Sequence, residues 1–158
     1  MTTFQAERVA ECREDILPLL HAHWTEVALY RDKIELAPDF ARYQAAEDAG
    51  TLFVVTARDG GTLIGYAVFF VSQNLHYKHS IVAMNDVVFV ARARRGIIGA
   101  RLIQNAERLV CEFVRQRSPG SVFRVMWHIK TQQDWSPLLE RMGYGREEVV
   151  MGRVFDGR

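Results

Sequence analysis

The spacing of apolar and polar residues changes along the chain: near the centre it favours strands, and elsewhere it favours helices. Two stretches near the middle, TLFVVTAR and TLIGYAVFFV, are rich in β-branched and aromatic residues. Between them lies Asp59-Gly60-Gly61, which is typical of a tight hairpin turn. The pattern predicts two antiparallel strands here, a third at 80–90 and a fourth long strand at 122–129.

Helical spacing dominates elsewhere. Apolar residues recur at helical intervals from about residue 8 to 28, where Pro18 predicts a kinked helix or two short ones. A second helix is predicted within 37–50, with Asp39 as its N-cap and Gly50 at its end. Further periodicity predicts a helix over 97–116 and a short one in DWSPLLERM. EEVVMGRVF reads as a final strand or pair, and a strand at 2–5 precedes the first helix.

This order of elements predicts an α/β (α+β) domain: a mixed, mostly antiparallel central sheet with helices on both faces. The 158 residues suit a single domain spanning 1–158. A composition of 49% hydrophobic and 25% charged residues indicates a folded protein.

Charge and cysteine content exclude several function classes. The net charge of +1 disfavours a general nucleic-acid binder, which needs a basic face. Cys12 and Cys111 show neither a metal-ligand spacing nor a disulfide framework, and we expect no metal. The N-terminus has no long apolar stretch, so we expect a cytoplasmic protein without a membrane partner.

The segment FVARARRGIIGARLI places Arg92, Arg94 and Arg95 where the third strand ends and the long helix begins. The first amides of a helix are unpaired, and its positive dipole end attracts anions. The sequence therefore predicts an anion site on the amides from about Gly96 to Arg101, helped by Arg94 or Arg95. The alternative is a solvated turn whose arginines pair with carboxylates elsewhere.

Two blocks resemble the GNAT superfamily of N-acetyltransferases. RRGIIGARLI resembles its acyl-CoA-binding loop, Arg/Gln-x-x-Gly-x-Gly/Ala, with Arg94 and Gly99 matching and Ile97 at the usual first glycine. PLLERMGYGREEVVMGRV resembles its closing segment, although Leu139 stands where a tyrosine is common. Further stretches, among them NDVVFV and NLHYKHS, are similar to a GNAT subgroup found in phages and prophages.

The resemblance implies acetyl-CoA as donor, an amine as acceptor and a possible homodimer. It also implies that pantetheine lies between splayed strands 84–90 and 123–128. The donor-binding residues it suggests are Val88, Phe89, Val90, Arg94, Arg95, Gly96, Ile97, Ile98, Gly99, Ala100 and Arg101.

Acetyl transfer to an amine also benefits from a base. Asp86 interrupts the run IVAM…VVFV near the position of a GNAT glutamate, and His128 lies near the end of the neighbouring strand. Each also has a purely structural interpretation, Asp86 as a partner of amides or arginine and His128 as a packed histidine. A backbone N–H near Val87 or Val88 would polarise the thioester.

Several polar and aromatic residues are candidates for the acceptor pocket. They are His23, Trp24, Tyr30, His76, Tyr77 and Asn85. His23 and Trp24 also fit a helical packing stripe with Val27. Two rival functions remain open: a GNAT-fold protein that binds acyl-CoA or a partner without turnover, and a small nucleic-acid-binding module using the three arginines.

Overall fold

The computed structural model describes residues 1–155 and contains a five-stranded sheet in the order β1-β2-β3-β4-β5. Neighbouring strands are antiparallel from β1 to β4, whereas β4 and β5 are parallel. This confirms the predicted mixed, mostly antiparallel sheet. The strands are β1 (Thr2–Ala6), β2 (Leu52–Asp59), β3 (Thr62–Gln73), β4 (Ser80–Val90) and β5 (Val122–Met126).

The β2–β3 hairpin turns where the sequence indicates. Gly60 and Gly61 have φ angles of 56° and 86°, the left-handed region that two-residue hairpin loops require and that glycine adopts without a steric penalty. Asp59 therefore pairs directly with Thr62.

Helices cover both faces of the sheet, as predicted. They are α1 (Val9–Val27), α2 (Phe40–Asp48), α3 (Ile97–Arg117) and α4 (Ser136–Arg141), with single 3₁₀ turns at Arg92–Arg94 and Thr131–Gln133. Asp39 caps α2 by accepting a hydrogen bond from the Arg42 amide at 3.1 Å. The first helical region forms one continuous helix and not two short ones. Pro18 and Glu14 are both exposed, so water can bond the Glu14 carbonyl that the proline leaves unpaired.

Two apolar layers hold these helices to the sheet. On one face, α3 packs Leu102, Ala106 and Val110 against alternate residues of the strands. On the other face, α1 and α2 cover a second cluster that includes Tyr66 and Phe89. Full burial of one leucine or phenylalanine side chain contributes about 1.5–3 kcal/mol, so these layers fix where β4 ends and α3 begins.

The C-terminal part of the fold differs from the sequence-based prediction. β5 ends at Met126 and not at residue 129, and residues 142–155 contain no strand. The expected final strand was inferred from the apolar residues of EEVVMGRVF, but Val149, Val150 and Met151 are exposed. Side-chain contacts and not strand pairing attach the segment: Arg124 contacts Glu147 at 2.7 Å, and the Tyr144 hydroxyl donates to Glu107 at 2.8 Å.

A buried ion pair joins β1, β2 and α1. Burial by itself would raise the pKa of Glu7, but hydrogen bonds from Arg58, Thr56 and Gln5 lower it to about 2. The Arg58 guanidinium donates to both Glu7 carboxylate oxygens, at 2.7 and 2.8 Å. It also contacts Asp15 of α1 at 2.8 Å.

Glu7→Gln is expected to lower the free energy of unfolding by roughly 2–3 kcal/mol near neutral pH. A lowered folded-state pKa stabilises the protein above the unfolded value of 4.5 and is lost as the pH falls toward 2. The deficit should therefore shrink in acid. Urea unfolding near pH 7 and near pH 3 measures this, with exposed Glu14→Gln as the matched control. A deficit of equal size at both pH values would contradict the ion-pair explanation.

Candidate active site

The sheet opens between β4 and β5. The two parallel strands pair from Ser80 and Val122 as far as Met84 and Met126. β4 then continues to Val90, paired with β3 on its other side only. Within residues 1–155 no strand pairs with this side of β4 beyond Met84. Its cleft-facing amides and carbonyls are therefore available to a ligand.

Asn85 holds the point where the strands part. Its side-chain Oδ1 accepts a hydrogen bond from the His128 amide, and its Nδ2 lies 3.5 Å from the His128 carbonyl oxygen. Asn85 is only 3% exposed. It therefore extends the ladder by one step through its side chain, and it does not face an acceptor as the sequence suggested.

Asn85→Ala is expected to lower the free energy of unfolding by about 1–3 kcal/mol, because it removes both hydrogen bonds between this buried side chain and the His128 main chain. Turnover should fall as well, since the apex of the cleft loses its fixed geometry. Denaturant unfolding and initial rates measure the two effects. Asn74→Ala is the control for loss of an asparagine that binds main-chain amides. Asn74 accepts hydrogen bonds from the His76 and Tyr77 amides, but in the β3–β4 turn and not between β4 and β5. Unchanged stability in the Asn85 variant would show that the amide does not hold the strands.

A β-bulge places Asp86 at the apex of this cleft. Val68 pairs with Val87 and Phe69 pairs with Asn85, so Asp86 has no partner on β3. The extra residue reverses the alternation: Ile81 and Ala83 pack on the α3 side before the bulge, and Val88 and Val90 after it. The bulge thus leaves the main chain of Asp86 outside the regular ladder at the point where the strands separate.

The surroundings of Asp86 make its carboxylate more basic than usual. Solvent reaches its side chain, yet burial by the cleft walls raises its pKa. The positive charges of Lys130 and His128 oppose this rise. On the other side, burial and then the charge of Asp86 raise the pKa of Tyr43. Sequence analysis missed both Lys130 and Tyr43, because only the folded sheet brings them to Asp86.

The N-terminus of α3 is open at the other end of this part of β4. Gly96 precedes the helix with a φ of 89°, and the main-chain amides of Gly96, Ile97 and Ile98 have no hydrogen-bond partner within residues 1–155. A Cβ added at Gly99 meets no atom within 4 Å. The first turn is thus a bare set of amides with room for an anion.

Two of the three arginines beside this turn, Arg94 and Arg95, are already paired. Arg95 holds both carboxylate oxygens of Glu26, at 2.5 and 2.7 Å, and its Nε donates to the Val90 carbonyl at 3.0 Å. Arg94 contacts Asp59 at 3.0 Å. These are the ion pairs that the sequence left open as an alternative. Any anion at α3 therefore meets main-chain amides first, with the side chains of Phe89 and Val90 packed in the core.

The predicted acceptor residues do not gather in one place. His23 is buried, stacks on Phe89 with ring centroids 4.9 Å apart, and lies 3.0 Å from the Tyr66 hydroxyl. Burial, followed by the charge of Lys130, lowers the pKa of His23 to about 4, so the ring is neutral at neutral pH. His23 therefore packs in the core, as the alternative interpretation of a helical packing stripe predicts. Trp24 is partly exposed and Tyr30 is exposed.

His76 and Tyr77 lie in the β3–β4 turn, where Tyr77 is 68% exposed. Asp86 is six residue steps beyond Ser80 on an extended strand, which is about 20 Å. The structure therefore does not bring these two side chains to Asp86, and their nearness in sequence was misleading. His128, in contrast, follows β5 at the apex itself.

Two further properties of residues 1–155 complete the description. No helix among them is long and apolar enough to cross a bilayer. In the same residues, no three histidine, cysteine, aspartate or glutamate side chains are grouped as a metal site.

Comparison with known proteins supports an acetyltransferase assignment. Residues 13–144 match the family described as Acetyltransferase (GNAT) family. No curated protein sequence matches the chain significantly.

Solved acetyltransferase structures superpose over almost the whole chain. An aminoglycoside acetyltransferase from an uncultured soil metagenomic sample, in complex with sisomicin, has a TM-score of 0.70 and 15% identity, covering 99% of this chain and 97% of that one. The ribosomal-protein-alanine N-acetyltransferase of Brucella melitensis biovar Abortus 2308 has a TM-score of 0.67 and 18% identity, covering 99% and 100%. Glucosamine-6-phosphate N-acetyltransferase from Arabidopsis thaliana has a TM-score of 0.69 and 11% identity, covering 99% of both chains.

These identities are low, so the structural similarities establish the fold and leave the acceptor open. The family match covers most of the chain and includes β4, its bulge and the start of α3. The protein therefore belongs to the GNAT family of acetyltransferases, which use acetyl-CoA.

Proposed function

We propose that the protein transfers an acetyl group from acetyl-CoA directly to a primary amine. The main supporting observation is the cleft between β4 and β5. The Asp86 carboxylate lies at its apex, and the unpaired amides of α3 lie at its open end. The residues fit a diphosphate at α3, because a Cβ at Gly99 would project into open space. Main-chain groups of 88–90, together with Gly96 to Arg101, would hold the donor.

Arg94 is the arginine best placed to join this donor site. Its side chain is about half exposed (52%) and has one contact with Asp59, so it can exchange that partner for a phosphate. Arg95 is committed by three contacts to Glu26 and Val90. Arg95 then fixes the loop between β4 and α3. Ile97 is 74% exposed and offers an apolar surface beside the donor site.

Asp86 supplies the base. An amine with a pKa of about 10.4 costs about 4–5 kcal/mol to deprotonate at neutral pH, so a proton acceptor beside it lowers the barrier. Asp86 takes this proton as the amine nitrogen bonds to the acetyl carbon and the carbon–sulfur bond of acetyl-CoA breaks. Its raised pKa makes it a stronger acceptor than an ordinary aspartate. His128 lies beside it and can pass the proton onward.

Main-chain amides of β4 stabilise the charge that develops on the acetyl oxygen. Past the bulge, those facing the cleft have no strand partner within residues 1–155, so an amide near Val87 or Val88 can donate to that oxygen. Tyr43 of α2 is half-buried and stays neutral, because burial and then the charge of Asp86 raise the pKa of its phenol.

Thiol release from acetyl-CoA tests the proposal, with polyamines, aminoglycosides, amino acids and lysine peptides as acceptors. We expect release that depends on one class of amine and yields the acetylated product by mass spectrometry. Donor binding without release for any of these amines would instead identify a protein that binds acyl-CoA without turnover.

A further inference from the structure

A pocket of about 190 Å³ lies between the C-terminal end of α1 and the segment after β5. Residues 26–29 form one wall, and Lys130, Gln132 and Gln133 form the other. Whole drug-sized ligands fill pockets of about 300–1,000 Å³, so this pocket suits one part of a small molecule. The pocket adjoins the apex of the cleft, because Lys130 lies two residues beyond His128, whose main chain is held there by the Asn85 side chain.

The charged groups that line this pocket leave an excess of positive charge. Its carboxylate, Glu26, is already neutralised by two bonds from Arg95 and is also approached by Gln133 at 3.4 Å. Lys130 donates to the Val27 carbonyl at 2.8 Å, and no carboxylate lies within 4.0 Å of it in residues 1–155. An ammonium carries three donors, so two remain for a ligand.

Lys130 is an exposed residue, but part of its side chain lies against the wall of the pocket. Burial lowers the pKa of Lys130, and the more distant charge of Asp86 opposes this only in part. Since the ammonium is still partly hydrated, what an anionic ligand adds is the charge-assisted bonds that its two free donors would make. The side-chain amides of Gln132 and Gln133 offer further donors on the same wall.

We propose that this pocket holds an anionic group, a carboxylate or a phosphate, of the acceptor whose amine is placed at Asp86. The inference rests on the proposed function and narrows its substrate class to small amines that also carry a negative charge. A polycation such as an aminoglycoside fits poorly, since it would place a positive charge at Lys130 without a free carboxylate to receive it.

Matched acceptor pairs that differ only in the anionic group test this inference. Glucosamine 6-phosphate is compared with glucosamine, amino acids with their amides, and sisomicin serves as the polycation. Initial rates and equilibrium binding are both measured with acetyl-CoA saturating. We expect the anionic member of at least one pair to be favoured roughly 10- to 100-fold, and the pair that responds distinguishes carboxylate from phosphate.

Variants of Lys130 assign the preference to this pocket. Lys130→Gln should abolish the preference while the KM for acetyl-CoA stays unchanged, and Lys130→Arg should retain it. Exposed Lys78→Gln, in the β3–β4 turn, is the matched control. A preference for sisomicin, equal binding of both members of every pair, or a preference that survives in Lys130→Gln overturns the inference. A Lys130→Gln variant that weakens acetyl-CoA instead also overturns it. Preferential binding that Lys130→Gln abolishes, with no acetylation of any amine, supports the pocket and refutes only the proposed enzyme activity.

Discussion

Replacing Gly99 by isoleucine is expected to weaken acetyl-CoA binding by roughly 100-fold or more, the equivalent of two lost charge-assisted hydrogen bonds. Apart from the backbone of α3 itself, a Cβ at this position meets no atom within 4 Å, so the new side chain would fill open space at the first turn, where the amides are unpaired. The fold should not suffer, because glycine inside a helix is about 0.5–1 kcal/mol less favourable than alanine.

Calorimetric titration with acetyl-CoA and urea unfolding of the same preparations separate binding from stability. Gln104→Ile is the matched control, since Gln104 is an exposed residue of the same helix one turn beyond the site. The control should bind acetyl-CoA as the parent protein does. If Gly99→Ile bound the donor with unchanged affinity, the first turn of α3 would not be its diphosphate site.

Asp86→Asn is expected to reduce turnover by roughly 10²–10⁴-fold, the usual contribution of a positioned base, with acetyl-CoA affinity unchanged. The same substitution should stabilise the protein at neutral pH. Burial raises the folded-state pKa of Asp86, so folding favours its protonated form. The ionised carboxylate then costs stability as the pH rises through the folded pKa, whereas below the unfolded pKa the cost disappears.

The combination of slower turnover and higher stability is what distinguishes a base from a structural carboxylate. Initial rates, donor titration and urea unfolding at neutral and acid pH measure it. Asp86→Glu, which keeps a carboxylate, should restore part of the activity, and exposed Asp32→Asn is the control. Equal turnover in Asp86→Asn would remove Asp86 from the role and leave His128 as the candidate. Lower stability at neutral pH would instead show that the carboxylate holds the bulge together.

The local parts of this fold could be predicted from the sequence because their signals are local. The hairpin glycines, the bounds of β4 and the start of α3 each depend on residues within a few positions. Asp86 was identified because a carboxylate breaks an apolar run. The bulge that frees it could not be predicted, since a shift in pairing between Val68 and Phe69 leaves no mark in the composition of β4.

The remaining part of the site depends on contacts between distant residues. Arg95 and Glu26 are 69 positions apart, and Lys130 and Val27 are 103 apart. Nothing near Arg95 reveals that its charge is already matched, so the arginine cluster looked freer than it is. His76 and Tyr77 show the opposite effect. They are close to Asp86 in sequence, but this short separation becomes a long distance along an extended strand.

The C-terminal end of α1 is attached to both sides of the opening in the sheet. Arg95, which follows β4, and Gln133, which follows β5, meet at the Glu26 carboxylate, and Lys130 donates to the neighbouring Val27 carbonyl. The end of this helix is therefore a clasp that bridges the two sides of the gap. Any ligand that moves the loop before α3 must also move the wall of the pocket beneath the clasp. A displacement on one side of the opening is therefore transmitted through the Glu26 carboxylate to the other side.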